Sequence, residues 1–309
     1  MDKDHYELII LGGGPAGLTA GLYAARARLN HLLIEKGAEG GQVLLTDWID
    51  NYPGFVDGCT GFELSEKMAA HGKRFGLNTL IATVTEVKLD TPVKQLILEN
   101  GKSLSCDTLI ICTGARPRAL AVPGEKELTG KGVSYCATCD APFYRNLHVA
   151  VVGGGNTAVQ EASHLTKFAD KVTLIHRRDE LRATKIVQEK AFANDKIELL
   201  WNTHVTGIEG ENGVESLRLV DNDGKESTLA VEGIFILIGV IPNNEILPLE
   251  PLGAENDGFI PTDCETRTKI DGVMAAGDIR SKEVRQVITA AGEGATAVLA
   301  AEQYLANME

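Results

Sequence analysis

The feature that most limits what this chain can fold into is a glycine-rich turn that occurs twice. Glu7-Leu-Ile-Ile-Leu11 is a short apolar run ending in Gly12-Gly-Gly14-Pro15-Ala16-Gly17, and Val149-Ala-Val-Val152 ends in Gly153-Gly154-Gly155-Asn156-Thr157-Ala158. An apolar strand, a turn with glycine at this spacing, a helix and a second strand form a nucleotide-binding unit of a doubly wound α/β sheet. The first glycine permits the tight turn, the second lets the backbone approach a pyrophosphate, and the third lets helix and strand pack closely. The helix N-terminus behind the turn supplies amide donors for the anion. Alanine takes the third place in the second copy, which the motif tolerates.

The copies share a register. His31-Leu-Leu-Ile-Glu35 and Val172-Thr-Leu-Ile-His176 read as the second strands, and Glu35 lies as far from Gly12 as His176 does from Gly153. An acid at this position suits a free ribose 2′-hydroxyl, whereas the second copy has His176 followed by Arg177, Arg178 and Arg182, which suits a 2′-phosphate. Alone, such a charged run would be a solvated face. At the ribose position of a second glycine turn it points to NADP(H). Two turns imply two nucleotides.

At 309 residues the chain has room for two domains. Turn-rich segments fall at Thr113-Gly114-Ala115-Arg-Pro117 through Gly124 and again at Gly239-Val-Ile-Pro242-Asn-Asn. Beyond the second, Val273-Met-Ala-Ala-Gly277-Asp278 reads as another strand, and an alanine-rich helix runs from about Gln286 to Leu305. The expected division is 1–115 and 244–309 as one split domain, with 116–243 inserted and joined by two short segments, as in a hinge.

The formal net charge of −13 disfavours extended contact with nucleic acid, and no apolar run approaches the roughly 18 to 20 residues that span a bilayer. The N-terminus mixes charges of both signs ahead of a strand, so the expectation is a cytoplasmic chain without a signal peptide.

Six cysteines are too few for a disulfide-built scaffold, and only Cys136 and Cys139 form a motif. A structural zinc site needs four protein ligands, and the other cysteines and histidines offer no matching pair. An inert staple is disfavoured where thiols are kept reduced. A reversible redox disulfide remains, with Asp140 beside it as a candidate proton carrier or else a solvated helix charge.

These motifs, in this order, resemble the low-molecular-weight thioredoxin reductases over almost the whole chain: Gly12 to Gly17, Gly40-Gly41-Gln42, Asn51-Tyr-Pro-Gly54, Thr113-Gly114-Ala115, Cys136-Ala-Thr-Cys139-Asp140, Gly153 to Ala158, His176-Arg-Arg178, Gly277-Asp278 and Arg285-Gln286. The resemblance implies two Rossmann-like domains, with an NADPH domain inserted into a split FAD domain, and a homodimer. For FAD it suggests the first glycine turn, Glu35, Lys36, Gly40, Gly41, Gln42, Val43, Asn51, Val84 and Thr113 to Ala115. Gly277, Asp278, Arg285, Gln286 and Val287 complete that set. For NADPH it suggests the second glycine turn with His176, Arg177, Arg178 and Arg182, then Ile238 and Gly239. It favours the proton-carrier role for Asp140, assigns Cys139 to the flavin side and Cys136 to attack on the partner.

The implied path runs from NADPH through FAD to the disulfide and on to thioredoxin or a thioredoxin-like protein, with the inserted domain rotating between steps. The alternatives are a disulfide reductase for another small redoxin and a non-catalytic NADP(H) sensor. A dithiol oxidase would not need the second glycine turn, and a peroxide-reductase subunit would need a further thioredoxin-like domain. One departure from the family stands out: Ala141-Pro142 follows Asp140 where members usually carry glycine.

Overall fold

The computed structural model describes residues 4–46, 48–89 and 92–308. They form two compact units, one of residues up to Arg116 and from Ile241 on, the other Pro117–Val240.

The first unit begins with β1 (His5–Leu11), α1 (Pro15–Ala27) and β2 (His31–Glu35), the elements expected around the first glycine turn. Then come α2 (Gly61–Arg74), β3 (Thr79–Ile81), β4 (Val84–Lys88), β5 (Lys94–Leu98) and β6 (Ser103–Ile111). The sheet order is β3-β2-β1-β6-β5-β4. The β1, β2, β3 and β6 pairings are parallel, while β4 and β5 return antiparallel along the first half of β6. Side chains of β1 alternate between two cores: Ile9 and Leu11 face Val87, Leu96 and Leu98, and Leu8 and Ile10 face the helices. This period-2 division is what a parallel strand covered on both faces requires, and each fully buried Leu or Ile contributes about 1.5–3 kcal/mol.

The segments joining the units pair with one another as β7 (Ala115–Pro117) and, after the second unit, a strand at Val240–Pro242. The second unit contains β8 (Val133–Ser134), the single turn α3 (Ala137–Asp140), β9 (His148–Val152), α4 (Asn156–Leu165), β10 (Lys171–Ile175), α5 (Lys185–Phe192) and β11 (Ile197–Leu200). An antiparallel meander follows, β12 (Thr203–Glu209), β13 (Ser216–Asp221) and β14 (Glu226–Ala230), then β15 (Gly233–Ile236). The parallel sheet has the order β11-β10-β9-β15-β8, which repeats the plan of the first unit. Val149 and Val151 face α4, and Ala150 and Val152 face the meander. His176 lies just past β10 rather than within it.

The Val240–Pro242 strand is β16, and the chain closes with α6 (Leu249–Leu252), β17 (Val273–Ala275) on the second half of β6, and α7 (Val287–Ala306). Small residues let α7 approach α1, since a Cβ on Gly294 would stand 2.1 Å from the Ala16 carbonyl oxygen. Trp48 is exposed, and its indole N–H donates to Asp50 at 2.6 Å.

Candidate functional site

In the first unit the glycine turn is shaped by what surrounds it. Gly12 has φ +110°, and a Cβ there would lie 2.4 Å from the Cys112 carbonyl oxygen. Gly14 is the opposite case, because a Cβ would meet only the Gly41 Cα at 4.0 Å. The space above Gly14 is left open by protein atoms. No side chain caps α1, whereas Thr60 caps α2 and Gln286 with Thr289 caps α7. The first-turn amides of α1 are therefore free for an anion.

The Glu35 carboxylate accepts from the Gly13 amide at 2.7 Å and the Gly37 amide at 2.9 Å, which fixes it while leaving lone pairs for a ribose hydroxyl. The Gly40 amide donates to the Gly13 carbonyl at 2.8 Å, folding Gly40 and Gly41 against the turn. Beyond them the Gly41–Leu45 turn exposes Gln42 and buries Val43.

The second group of expected FAD residues belongs to the same unit. Asn51 Nδ2 donates to Gln286 Oε1 at 3.1 Å, linking residues far apart in sequence at the start of α7. Gly277 (φ +81°) donates its amide to Glu293 at 2.7 Å, and Glu293 also pairs with Arg280 and Lys282 at 3.0 Å. Burial raises the Asp278 pKa against the opposing pull of Lys282, whose ammonium lies 3.4 Å from Oδ1 without hydrogen-bond geometry. Asp278 Oδ1, Thr113 Oγ1 and Arg285 Nε are buried without hydrogen-bond partners, and the Arg285 guanidinium lies over the Phe259 ring at 4.4 Å.

A buried polar group without a partner costs about 1–3 kcal/mol. Two such atoms, Thr113 Oγ1 and Arg285 Nε, with an uncapped helix, an open glycine cradle and a fixed carboxylate, fit a dinucleotide that would complete these bonds. Val84 is buried on β4 and Lys36 is exposed beside Glu35. Sequence reasoning missed Asn243, whose side chain donates to the Thr113 carbonyl at 2.8 Å and whose amide donates to the Gly114 carbonyl at 3.0 Å. It missed Glu293 too. Both act only through residues distant in sequence.

In the second unit α4 also starts without a side-chain cap, and a Cβ on Gly155 would meet nothing within 4 Å. Asn156 Oδ1 accepts from the Thr184 amide at 2.8 Å, and the Arg182 amide donates to the Gly154 carbonyl at 2.7 Å. The segment carrying the arginines is thus tied to the turn. Arg177, Arg178 and Arg182 are exposed, and none has an ion pair among the described residues. His176 differs from them, being only 6% exposed. Its ring fills the space where a Gly154 side chain would stand, and it meets Trp201 edge-on. Burial, aided by Arg178 and Arg182, holds its pKa below the usual histidine range. Ile238 is half-buried, and exposed Gly239 (φ +116°) accepts from the Arg118 amide at 2.9 Å.

The cysteine pair lies in this same unit as a disulfide. Cys136 caps α3, and the Cys139 amide lies 3.2 Å from Cys136 Sγ. That donor would stabilise a thiolate at Cys136. Asp140 Oδ2 accepts from Ser134 Oγ at 2.6 Å. Ala141 is fully buried with φ −50° and ψ −39°, ordinary right-handed helix, so nothing in its backbone requires glycine. Pro142 then falls in the first turn of the Ala141–Tyr144 segment, where a missing N–H is harmless. The stretch before Cys136 is anchored by Glu125, whose buried carboxylate accepts from the amides of Leu120 and Ala121 and from Tyr135 Oη. Among the described residues no group of His, Cys, Asp or Glu could hold a metal ion, and no helix is long and apolar enough to cross a membrane.

The sequence profile of the pyridine nucleotide-disulphide oxidoreductase family matches residues 6–294. The chain is 45% identical over 307 residues to a thioredoxin reductase of Bacillus subtilis (strain 168), covering 98% of this chain and 96% of the relative. A thioredoxin reductase of Peptoclostridium acidaminophilum is 46% identical over 312 residues, with 98% of each chain covered. Among solved structures, thioredoxin reductase from Streptococcus pyogenes MGAS5005 superposes with a TM-score of 0.94 at 42% identity, covering 99% of this chain and 100% of that one.

Proposed function

The chain belongs to the pyridine nucleotide-disulphide oxidoreductases, and within them to the thioredoxin reductases, and on that premise we propose its reaction. It is an oxidoreductase that transfers electrons from NADPH, by way of FAD and the Cys136–Cys139 disulfide, to the disulfide of thioredoxin or a thioredoxin-like protein. The observation that carries the reading is the Cys136–Cys139 disulfide, standing on the unit that also holds the second glycine turn and its exposed arginines. A non-catalytic redox sensor would bind nucleotide equally well but would not turn over a partner's disulfide.

FAD would be held by the Gly12 turn, Glu35, Asn51, Asp278, Arg285 and the start of α7, and NADPH by the Gly153 turn with Arg177, Arg178 and Arg182. When bound, the flavin supplies the two-electron relay between nicotinamide and disulfide. The protein's own residues do the rest. Two electrons and two protons convert the Cys136–Cys139 disulfide to a dithiol, with Asp140 carrying a proton at its carboxylate. The Cys136 thiolate, stabilised by the Cys139 amide at 3.2 Å, then attacks one sulfur of the partner disulfide and releases the other as a thiolate. Cys139 attacks Cys136 in the mixed disulfide, which restores the internal bond and frees the partner as a dithiol. A homodimer belongs to the same proposal, supported by large apolar side chains left exposed on the first unit, Val56 and Phe62 among them.

Steady-state NADPH oxidation by the FAD-loaded chain, with oxidised thioredoxin as acceptor, tests the reading. Turnover that requires both NADPH and the thioredoxin disulfide is expected. Nucleotide binding without turnover would replace the enzyme with a sensor.

A further inference from the structure

Next to the redox turn stands a buried hydroxyl, that of Ser134. Ser134 ends β8, is 5% exposed and is held in register by pairing with Phe235. The Cys136 amide lies 3.1 Å from its Oγ, and that Oγ lies 2.6 Å from Asp140 Oδ2. A serine hydroxyl has one proton to give. With the Cys136 amide donating to the oxygen, the proton is free for an acceptor, and the carboxylate at 2.6 Å outcompetes the Cys136 carbonyl at 3.4 Å.

We propose that Ser134 is a positioning residue for disulfide reduction: its hydroxyl, fixed by the Cys136 amide, sets the orientation and proton affinity of the Asp140 carboxylate. The proposal rests on the proton-carrier reading of Asp140 given above. Reduction breaks the Cys136–Cys139 bond with two electrons and takes up two protons, NADPH supplying the electrons and one proton as hydride and solvent the other. One of these passes from the Asp140 carboxyl oxygen to a cysteine thiolate, and the carboxylate left behind keeps the Ser134 O–H as its donor. Other groups face the same place. Tyr144 couples to Asp140 from the Ala141–Tyr144 turn, α4 brings Glu161, which accepts from the Thr138 hydroxyl at 3.0 Å, while its His164 lies against Phe168, and β15 brings no titratable side chain. Ser134 touches both the Cys136 amide and the Asp140 carboxylate.

The test is rapid-quench alkylation of the FAD-loaded chain after mixing with NADPH without oxygen, counting Cys136 and Cys139 thiols against time across a pH series. Ser134→Ala should slow thiol formation about tenfold, the size of one hydrogen bond to a charged group. It should also move the midpoint of the pH profile upward by about one unit, because a carboxylate loses a donor that favours its charged form. Ser134→Thr should restore both rate and midpoint. Asp140→Asn should remove the dependence, and adding Ser134→Ala to it should slow the reaction no further. If Ser134→Ala does not fold, Ser134→Gly and Ser134→Thr carry the same comparison. An unmoved midpoint in the hydroxyl-free variant, or a Ser134→Ala effect that persists in the Asp140→Asn background, would overturn the positioning role alone. No NADPH-dependent thiol formation in the unsubstituted protein would overturn the proposed function and this inference with it.

Discussion

Gly17 and Gly12 approach so closely that a Cβ on Gly17 would stand 1.8 Å from the Gly12 carbonyl oxygen. Gly14, between them, has φ −75°, and beyond its chain neighbours the nearest atom among the described residues to where its Cβ would be is the Gly41 Cα, at 4.0 Å. The two positions therefore serve different ends. One closes the helix onto the strand, and the other keeps a space for a ligand.

Gly17→Ala should destabilise the first unit by about 3 kcal/mol or more, because backbone must move to admit the methyl group. Gly14→Ala should leave the melting temperature close to the original while weakening FAD affinity at least about tenfold, as a methyl group enters the pyrophosphate cradle. Calorimetry and flavin titration separate the two. A Gly14→Ala protein that held FAD normally would remove Gly14 from the site.

Arg177, Arg178 and Arg182 are exposed and have no ion pair among the described residues, so replacing them tests recognition with little effect on folding. Arg177→Ala and Arg178→Ala should each weaken NADPH about 10- to 100-fold, the range for charge-assisted hydrogen bonds to phosphate, and leave NADH use nearly unchanged. Steady-state kinetics with both nucleotides reads the difference. Equal losses for NADPH and NADH would mean that the arginines do not meet a 2′-phosphate.

Acid stability follows from two histidines of the second unit. Burial lowers the pKa of His176 and of His148, which also hydrogen-bonds Thr173 Oγ1 at 2.8 Å, below the ordinary value of 6.5. Near that pH the unfolded chain binds more protons than the folded one, so stability falls as pH drops from above 6.5 toward the folded pKa values. Melting at pH 7.5 and 5.5 should show this loss, and His176→Asn should make the difference smaller. A melting temperature that rose on acidification over this window would contradict the assignment of His176 as a neutral packing residue.

Those residues also mark how far the sequence could be read. The glycine turns, Glu35 and the cysteine pair were legible because their demands are local: a fixed spacing, a turn that excludes side chains, two sulfurs three residues apart. The repeated register put His176 at the position that Glu35 takes in the first copy. What register could not tell is that its ring packs against Gly154 and Trp201 while the arginines beside it stay in solvent, since that depends on where β10 ends. Ser134, Glu125, Asn243 and Glu293 were silent for a related reason. A serine at a strand end or an acid in a loop looks ordinary until folding brings it to its partner, and each of these partners lies on another element or across the inserted unit. Ala141-Pro142 was legible as a departure, but its compatibility with one continued helical turn needed the backbone angles.

The most direct measurement uses the Cys136→Ser protein loaded with FAD and titrated with NADPH in the absence of oxygen, then mixed with oxidised thioredoxin. The flavin should still be bleached by NADPH while thioredoxin thiols fail to appear. Retained thioredoxin reduction by this variant would contradict the attacking role of Cys136.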